Sequence, residues 1–102
     1  MLQLRPNCEL CDLDLPPESS EARICTYECT FCASCVEQVL HDVCPNCGGG
    51  FVPRPVRPRS EWRPGVTLAR HPAAIGEKHR PVDAEAHRRF AAPIAAVAPH
   101  ER

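Results

Sequence analysis

No stretch of this chain stays apolar for the roughly 18–20 residues that a membrane-spanning helix requires. Its opening residues, Met1-Leu2-Gln3-Leu4-Arg5-Pro6-Asn7-Cys8, lack a basic segment followed by the roughly 7–15-residue apolar run of a secretory signal. These absences argue against a membrane role and set the expectation of a cytoplasmic protein, whose thiols stay reduced. No internal repeat is visible. No Ser/His/Asp arrangement, phosphate-cradling glycine loop or carboxylate pair can be assigned to a pocket, so the chain is expected not to be an enzyme. Cysteine is missing after Cys47, and large apolar residues are sparse from residue 53 onward.

What is present is concentrated at the other end. All eight cysteines of the 102 residues lie between Cys8 and Cys47. Residues 1–52 carry eight acidic residues against Arg5 and Arg23, a formal −6, whereas residues 53–102 carry ten basic and five acidic residues, a formal +5. The overall charge of −1 therefore hides an acidic head and a basic tail. A head of this size buries too little apolar surface to offset its chain entropy comfortably, so a staple is expected.

Along the chain, residues 1–7 read as a short lead-in, with a strand ending at Pro6. Cys8-Glu-Leu-Cys11 is a first knuckle, and the acidic loop of residues 12–21 is kept irregular by Pro16-Pro17. Ala22 to Tyr27 suits a short strand, Cys29 to Cys32 a second strand or turn, and Phe51-Val52 a last one. Val36, Val39, Leu40 and Val43 fall at helical spacing, predicting one amphipathic helix over Ala33–Asp42 with Ser34 or its neighbours near the cap. The tail opens on Pro53-Arg-Pro-Val-Arg-Pro-Arg, an extended exit, and its composition predicts disorder. One exception is a short helix over 83–92, capped by Asp83 and terminated by Pro93.

The cysteines fall into four pairs: Cys8/Cys11, Cys25/Cys29, Cys32/Cys35 and Cys44/Cys47. Two residues between cysteines let one turn present both sulfurs at about 2.3 Å from a single zinc ion. Four pairs then make two four-coordinate sites with no ligand left over. Such sites have no open corner for water or substrate, which indicates structural zinc. A rubredoxin-like iron site would leave four cysteines idle. A ferredoxin run would need a gap of about three before its last cysteine, where this chain has eight between Cys35 and Cys44. A redox role would use one exposed low-pKa Cys-x-x-Cys. Zinc, two ions per chain, is the expected cofactor. Spacing alone leaves open how the pairs combine.

The order and gaps of these pairs, with Leu10 inside the first knuckle, Phe31 before Cys32, and Cys44-Pro45-Asn46-Cys47, resemble RING-type domains. In that family the first and third pairs share one zinc and the second and fourth share the other. The resemblance implies Cys8, Cys11, Cys32 and Cys35 on a first ion, and Cys25, Cys29, Cys44 and Cys47 on a second. It implies a small zinc-stabilised α+β fold, a RING-like cross-brace with short strands and one helix. Cys29 stands where RINGs commonly have histidine. The run from Met1 to about residue 58 is also similar to a family of short bacterial proteins described only as domain of unknown function 1272. That similarity implies a small bacterial zinc protein, brings no activity with it and does not reach the tail.

His41 falls on the polar helix face with no vacant coordination position, and His71, His79, His87 and His100 show no ligand spacing, so all read as solvated. Trp62, the single tryptophan, reads as loosely packed rather than as an anchor. The expected role is a zinc-stabilised module mediating protein–protein contacts. The RING resemblance offers docking of a ubiquitin carrier enzyme as an alternative, with Leu10 and Pro45 on that surface. Gly48 stands where active RINGs usually carry a basic residue, which weakens it. Nucleic-acid binding through the basic tail is a third reading, disfavoured by the acidic head.

Overall fold

Ala22, Ile24 and Phe31 have their side chains inside the head, and a small sheet forms around them. In the computed structural model, which describes all 102 residues, strand β1 spans Ala22–Ile24 and strand β2 spans Thr30–Cys32. They pair antiparallel with Ala22 opposite Cys32 and Ile24 opposite Thr30. Strand β3, Val52–Pro53, adds antiparallel to the free side of β1, giving the order β2-β1-β3. The strands fall inside or beside the expected segments but are shorter, because the Cys25–Cys29 loop reverses the chain at once. Within it Glu28 N–H donates to the Cys25 carbonyl at 3.0 Å. The lead-in forms no strand; it contributes one isolated bridge, Asn7 to Asp14.

Helix α1 follows β2 directly, as the period change predicts, but it differs from the expected Ala33–Asp42. It runs α-helical over Ala33–Cys35 and widens into a π-helical turn over Val36–Leu40. Cys32, two residues before Ser34, occupies its N-cap, without a side-chain capping bond. His41 and Asp42 then take left-handed backbone angles, φ 52° and 58°, and both N–H groups fold back onto the Val36 carbonyl. The wider turn aims Val36 and Leu40 into the core and leaves Val39 only half buried, while Val43 is buried from beyond the helix.

The core is unusual in content. Leu15, Ala22, Phe31, Val36 and Leu40 pack with six cysteines, Cys8, Cys25, Cys29, Cys32, Cys35 and Cys44. Phe51 meets Phe31 edge to face at 5.5 Å. No helix is long and apolar enough to cross a membrane.

The structure corrects the expectation of a largely disordered tail: residues 53–102 have defined positions against the head. The attachment is mostly polar, which is why apolar content failed to signal it. The Arg54 guanidinium is buried and donates to the carbonyls of Arg5 (2.8 Å), Leu15 (3.2 Å) and Pro16 (3.0 Å). Arg57 donates to Leu2 and His71, and Arg102 to Asp42 and Gly48. Ala74 N–H reaches the Leu4 carbonyl at 3.0 Å. Tail helix α2 spans Ala84–Ala95, and Asp83 caps it as expected, accepting from Glu85 and Ala86 N–H. Pro93 does not end it. The ring lies in the last turn, where only one helical bond is forfeited, and the helix continues for two residues.

Burial pushes the Arg54 guanidinium pKa down, yet it hydrogen-bonds the carbonyls of Arg5, Leu15 and Pro16, the last of which also accepts from Ser19 N–H. Arg54→Met is expected to lower the unfolding free energy by about 3 kcal/mol, the scale of leaving buried acceptors unpaired. Arg54→Lys should recover little of it, because one ammonium cannot fork across three carbonyls. Denaturant unfolding at fixed zinc measures both, and an unchanged midpoint would refute the stapling role.

Candidate metal centres

The first centre is built from the knuckle outward. Asp12 N–H returns to the Cys8 carbonyl at 2.9 Å, with Asp12 in the left-handed region (φ 65°), so Cys8 and Cys11 sit on one tight turn. Asn7, fully buried, braces it by donating to Asp12 Oδ1 (2.8 Å) and the Cys8 carbonyl (3.3 Å). Glu9, within the knuckle, ties it to strand β2. Its N–H donates to the Thr30 carbonyl (3.0 Å), and its carboxylate accepts from Thr30 N–H (2.7 Å) and Arg5 Nη1 (3.1 Å). Strand β2 ends on Cys32, and one helical turn later α1 presents Cys35. The Sγ atoms of Cys8, Cys11, Cys32 and Cys35 all lie within 4.8 Å of one another. Cys11 and Cys32 are 3.8 Å apart. A zinc tetrahedron with bonds of about 2.3 Å has sulfur–sulfur edges of about 3.8 Å, so the donor set fits the ion.

The second centre forms at the opposite ends of the same elements. Cys25 leaves β1, and Cys44 and Cys47 lie on the turn after α1, where Gly48 N–H donates to the Cys44 carbonyl at 2.8 Å. The sulfurs of Cys25, Cys44 and Cys47 lie within 4.8 Å of one another. Cys29 stands outside that tight trio but next to it, where its thiol interacts with Cys25, Cys44 and the Asn46 side chain. The structure thus brings together the first and third cysteine pairs in one cluster, and Cys25 with the fourth pair in another.

The surroundings suit thiolates. N–H groups point at sulfur from Tyr27 to Cys25 (3.3 Å), from the Asn46 side chain to Cys29 (3.4 Å) and from Gly49 to Cys47 (3.4 Å). The backbone N–H groups of Asn46 and Cys47 serve Cys44 in the same way. Such donors orient metal ligands and tune their charge. All eight cysteines are free thiols. Burial pushes the thiols of Cys29, Cys32, Cys35 and Cys44 above their ordinary pKa range, and neighbouring sulfurs raise them further. For Cys11, burial acts upward, but the Leu13 backbone and the other three cysteines outweigh it, and its pKa falls. A divalent cation supplies the charge that lets such crowded thiols ionise together.

A measurable consequence follows. Two raised thiols lie at each centre, Cys32 and Cys35 within the first cluster, and Cys44 within the second with Cys29 beside it. Raised thiols are protonated at pH 7, so zinc must displace those protons, and the apparent affinity should rise with pH. Titrating zinc into metal-free reduced protein in weak buffer at pH 7 should release at least two protons per ion bound. Release of fewer would contradict thiolate ligation.

No histidine enters either cluster. His41 is exposed, as expected. His87 is not solvated: it is buried, with Nε2 at 3.0 Å from the Leu40 carbonyl. Its place on α2, unreadable without knowing where that helix lies, explains the difference. Trp62 is 82% exposed, in keeping with loose packing. Asn7, Glu9 and Arg54 organise the site without having been singled out in the sequence. The available signal was polar residues at the two positions flanking Cys8.

The fold and these clusters define a small α+β protein with two cysteine centres suited to zinc. The family described as protein of unknown function DUF1272 matches residues 1–57, and the chain belongs to it. An uncharacterised protein of Rhizobium meliloti (strain 1021) is 56% identical over 81 residues, covering 79% of this chain and 89% of that protein. The likeness therefore extends past the head into the tail. No solved structure matches the chain.

Proposed function

We propose that this chain is a zinc-stabilised interaction module, in which two structural ions fix a surface that meets a protein partner. Cys8, Cys11, Cys32 and Cys35 hold the first ion, and Cys25, Cys29, Cys44 and Cys47 hold the second. The observation that carries the reading is the closed first cluster, where four sulfurs occupy every corner a tetrahedral ion offers. Zinc there supplies cross-linking and charge neutralisation. The surrounding residues hold geometry: Glu9 joins the first knuckle to the strand, Asn46 and Gly49 orient sulfurs of the second centre, and Phe31 packs in the core with cysteines of both.

The carrier-enzyme reading would dock on Leu10 and Pro45. The tail meets the first of these, with His79 at the Leu10 carbonyl (3.2 Å), and Arg102 reaches the Gly48 carbonyl (3.3 Å) just after the fourth cysteine pair. Affinity capture from native cells with zinc-loaded full-length protein tests the module reading. It should retain a stoichiometric protein that is lost after chelation. Repeated captures with no specific protein, or with nucleic acid alone, would count against it.

A further inference from the structure

Two exposed loops of opposite charge have no partner within the chain. The first, residues 12–21, belongs to the head. Leu13 is 50% exposed and stands between Asp12 and Asp14, both exposed, with Glu18 and Glu21 exposed further on. Its backbone is fixed. Cys8 N–H donates to the Leu13 carbonyl (2.8 Å), Leu15 N–H donates to the Pro6 carbonyl (2.8 Å), and Asn7 pairs with Asp14 as an isolated bridge. Buried Arg54 holds the Leu15 and Pro16 carbonyls.

The second loop, residues 58–68, opens the tail. Leu68 N–H donates to the Pro58 carbonyl at 2.8 Å and closes it. Inside it Gly65, at φ 80°, donates its N–H to Glu61 Oε1 at 2.6 Å, and Val66 N–H returns to the Arg63 carbonyl at 3.3 Å. On this ordered turn Trp62 stands 82% exposed and Val66 is exposed beside it, flanked by exposed Arg59 and Arg63. Arg57 ties the start of the loop to the Leu2 carbonyl (2.6 Å), so it sits by the N-terminus while the acidic loop sits by the first knuckle.

The charges are unpaired. Asp14, Glu18, Glu21, Arg59 and Arg63 make no ion pair, and the one contact of Arg70 is to Glu61 at 4.0 Å. Each loop therefore shows a large apolar side chain with two like charges around it, Asp-Leu-Asp on one and Arg-x-x-Trp-Arg on the other. An apolar centre with a polar rim is the anatomy of a protein interface, and tryptophan and arginine lead its strongest contacts. A nucleic acid strand would meet one aromatic ring rather than a row of them, and the acidic head would repel it. The surface complementary to the basic loop, in charge and in its apolar centre, is already present on this chain.

We propose that the chain pairs with a second copy of itself, the 12–21 loop of one protomer on the 58–68 loop of the other. Leu13 covers Trp62, and Asp12 and Asp14 face Arg59 and Arg63. Each protomer carries both loops, so a two-fold axis makes the contact twice. The proposal names the partner of the interaction module and rests on that reading.

The test is sedimentation velocity on zinc-loaded full-length protein, with the emission of Trp62, the single tryptophan, as a second readout. With rising concentration at low salt, monomer should give way to dimer and the emission should move to shorter wavelength. In about 1 M salt, where the screening length falls to about 3 Å, the dimer should weaken. Arg63→Glu and Asp14→Arg, both on exposed side chains, should each weaken it about tenfold or more, because like charges then meet at both contacts. Mixing the two variants should restore pairing, as should combining both changes in one chain, since opposite charges face each other again. A wild-type monomer at every concentration, with two zinc ions per chain, would overturn the proposal. So would a dimer indifferent to both reversals, no rescue on mixing variants that keep their zinc, or an emission shift seen only when a single-stranded oligonucleotide is added. Zinc below two per chain in wild type would instead strike the module reading beneath it.

Discussion

Removing zinc from the loaded protein is expected to abolish the folded head. Six of the eleven residues of the core are cysteines, so the metal ligands and the apolar interior are largely the same atoms. Without the ions, the raised thiols of Cys35 and Cys44 are left as buried, mutually crowded groups with no cross-link between their strands. The strands are three, three and two residues long, too short to hold a sheet unaided. Structural zinc contributes about 10–16 kcal/mol of apparent binding energy in finger peptides. A domain's whole net stability is about 5–15 kcal/mol. Chelation under reducing conditions should therefore erase amide protection from Thr30 through Leu40, and returning zinc should restore it. Full protection after complete metal removal would overturn the account of the core.

Phe31→Ala should be the most damaging substitution outside the cysteines. Phe31 is 1% exposed, sits on β2 immediately before Cys32, and meets Phe51 edge to face. Truncating a buried phenylalanine typically costs about 3–5 kcal/mol, to which the aromatic pair adds about 1 kcal/mol. The side chain also holds the strand on which Cys32 hangs, so the variant should release zinc to a competing chelator at lower denaturant. Phe31→Leu should recover most of the loss, since it refills much of the volume. A loss below about 1 kcal/mol for the alanine variant would show that the centres stand without this side chain.

What the sequence revealed tracks how local the physics is. The knuckles were legible because metal ligation ties sulfur spacing to a single turn, and Asp83 was legible because a capping bond spans two or three residues. The start of α1 was legible from its period, but its π-helical widening was not, since it depends on where Leu40 must point once the second knuckle closes. The tail was the largest miss. Arg54, Arg57 and Arg102 hold it by donating to carbonyls distant in sequence, and a carbonyl leaves no mark in composition. Head and tail carry opposite net charge, yet these arginines bind backbone carbonyls rather than carboxylates. His87 was misread for the same reason, because its partner is the backbone of Leu40.

The central claim is that eight cysteines make two interleaved zinc centres. Metal counting on paired serine variants of the purified protein tests it most directly. Wild type should carry two zinc ions per chain. Cys8→Ser with Cys32→Ser, both in the first cluster, should leave one ion. Cys8→Ser with Cys44→Ser, one from each cluster, should leave none bound tightly. One zinc in wild type, iron with visible colour, loss of both ions from the first double variant, or retention of one in the second would contradict it.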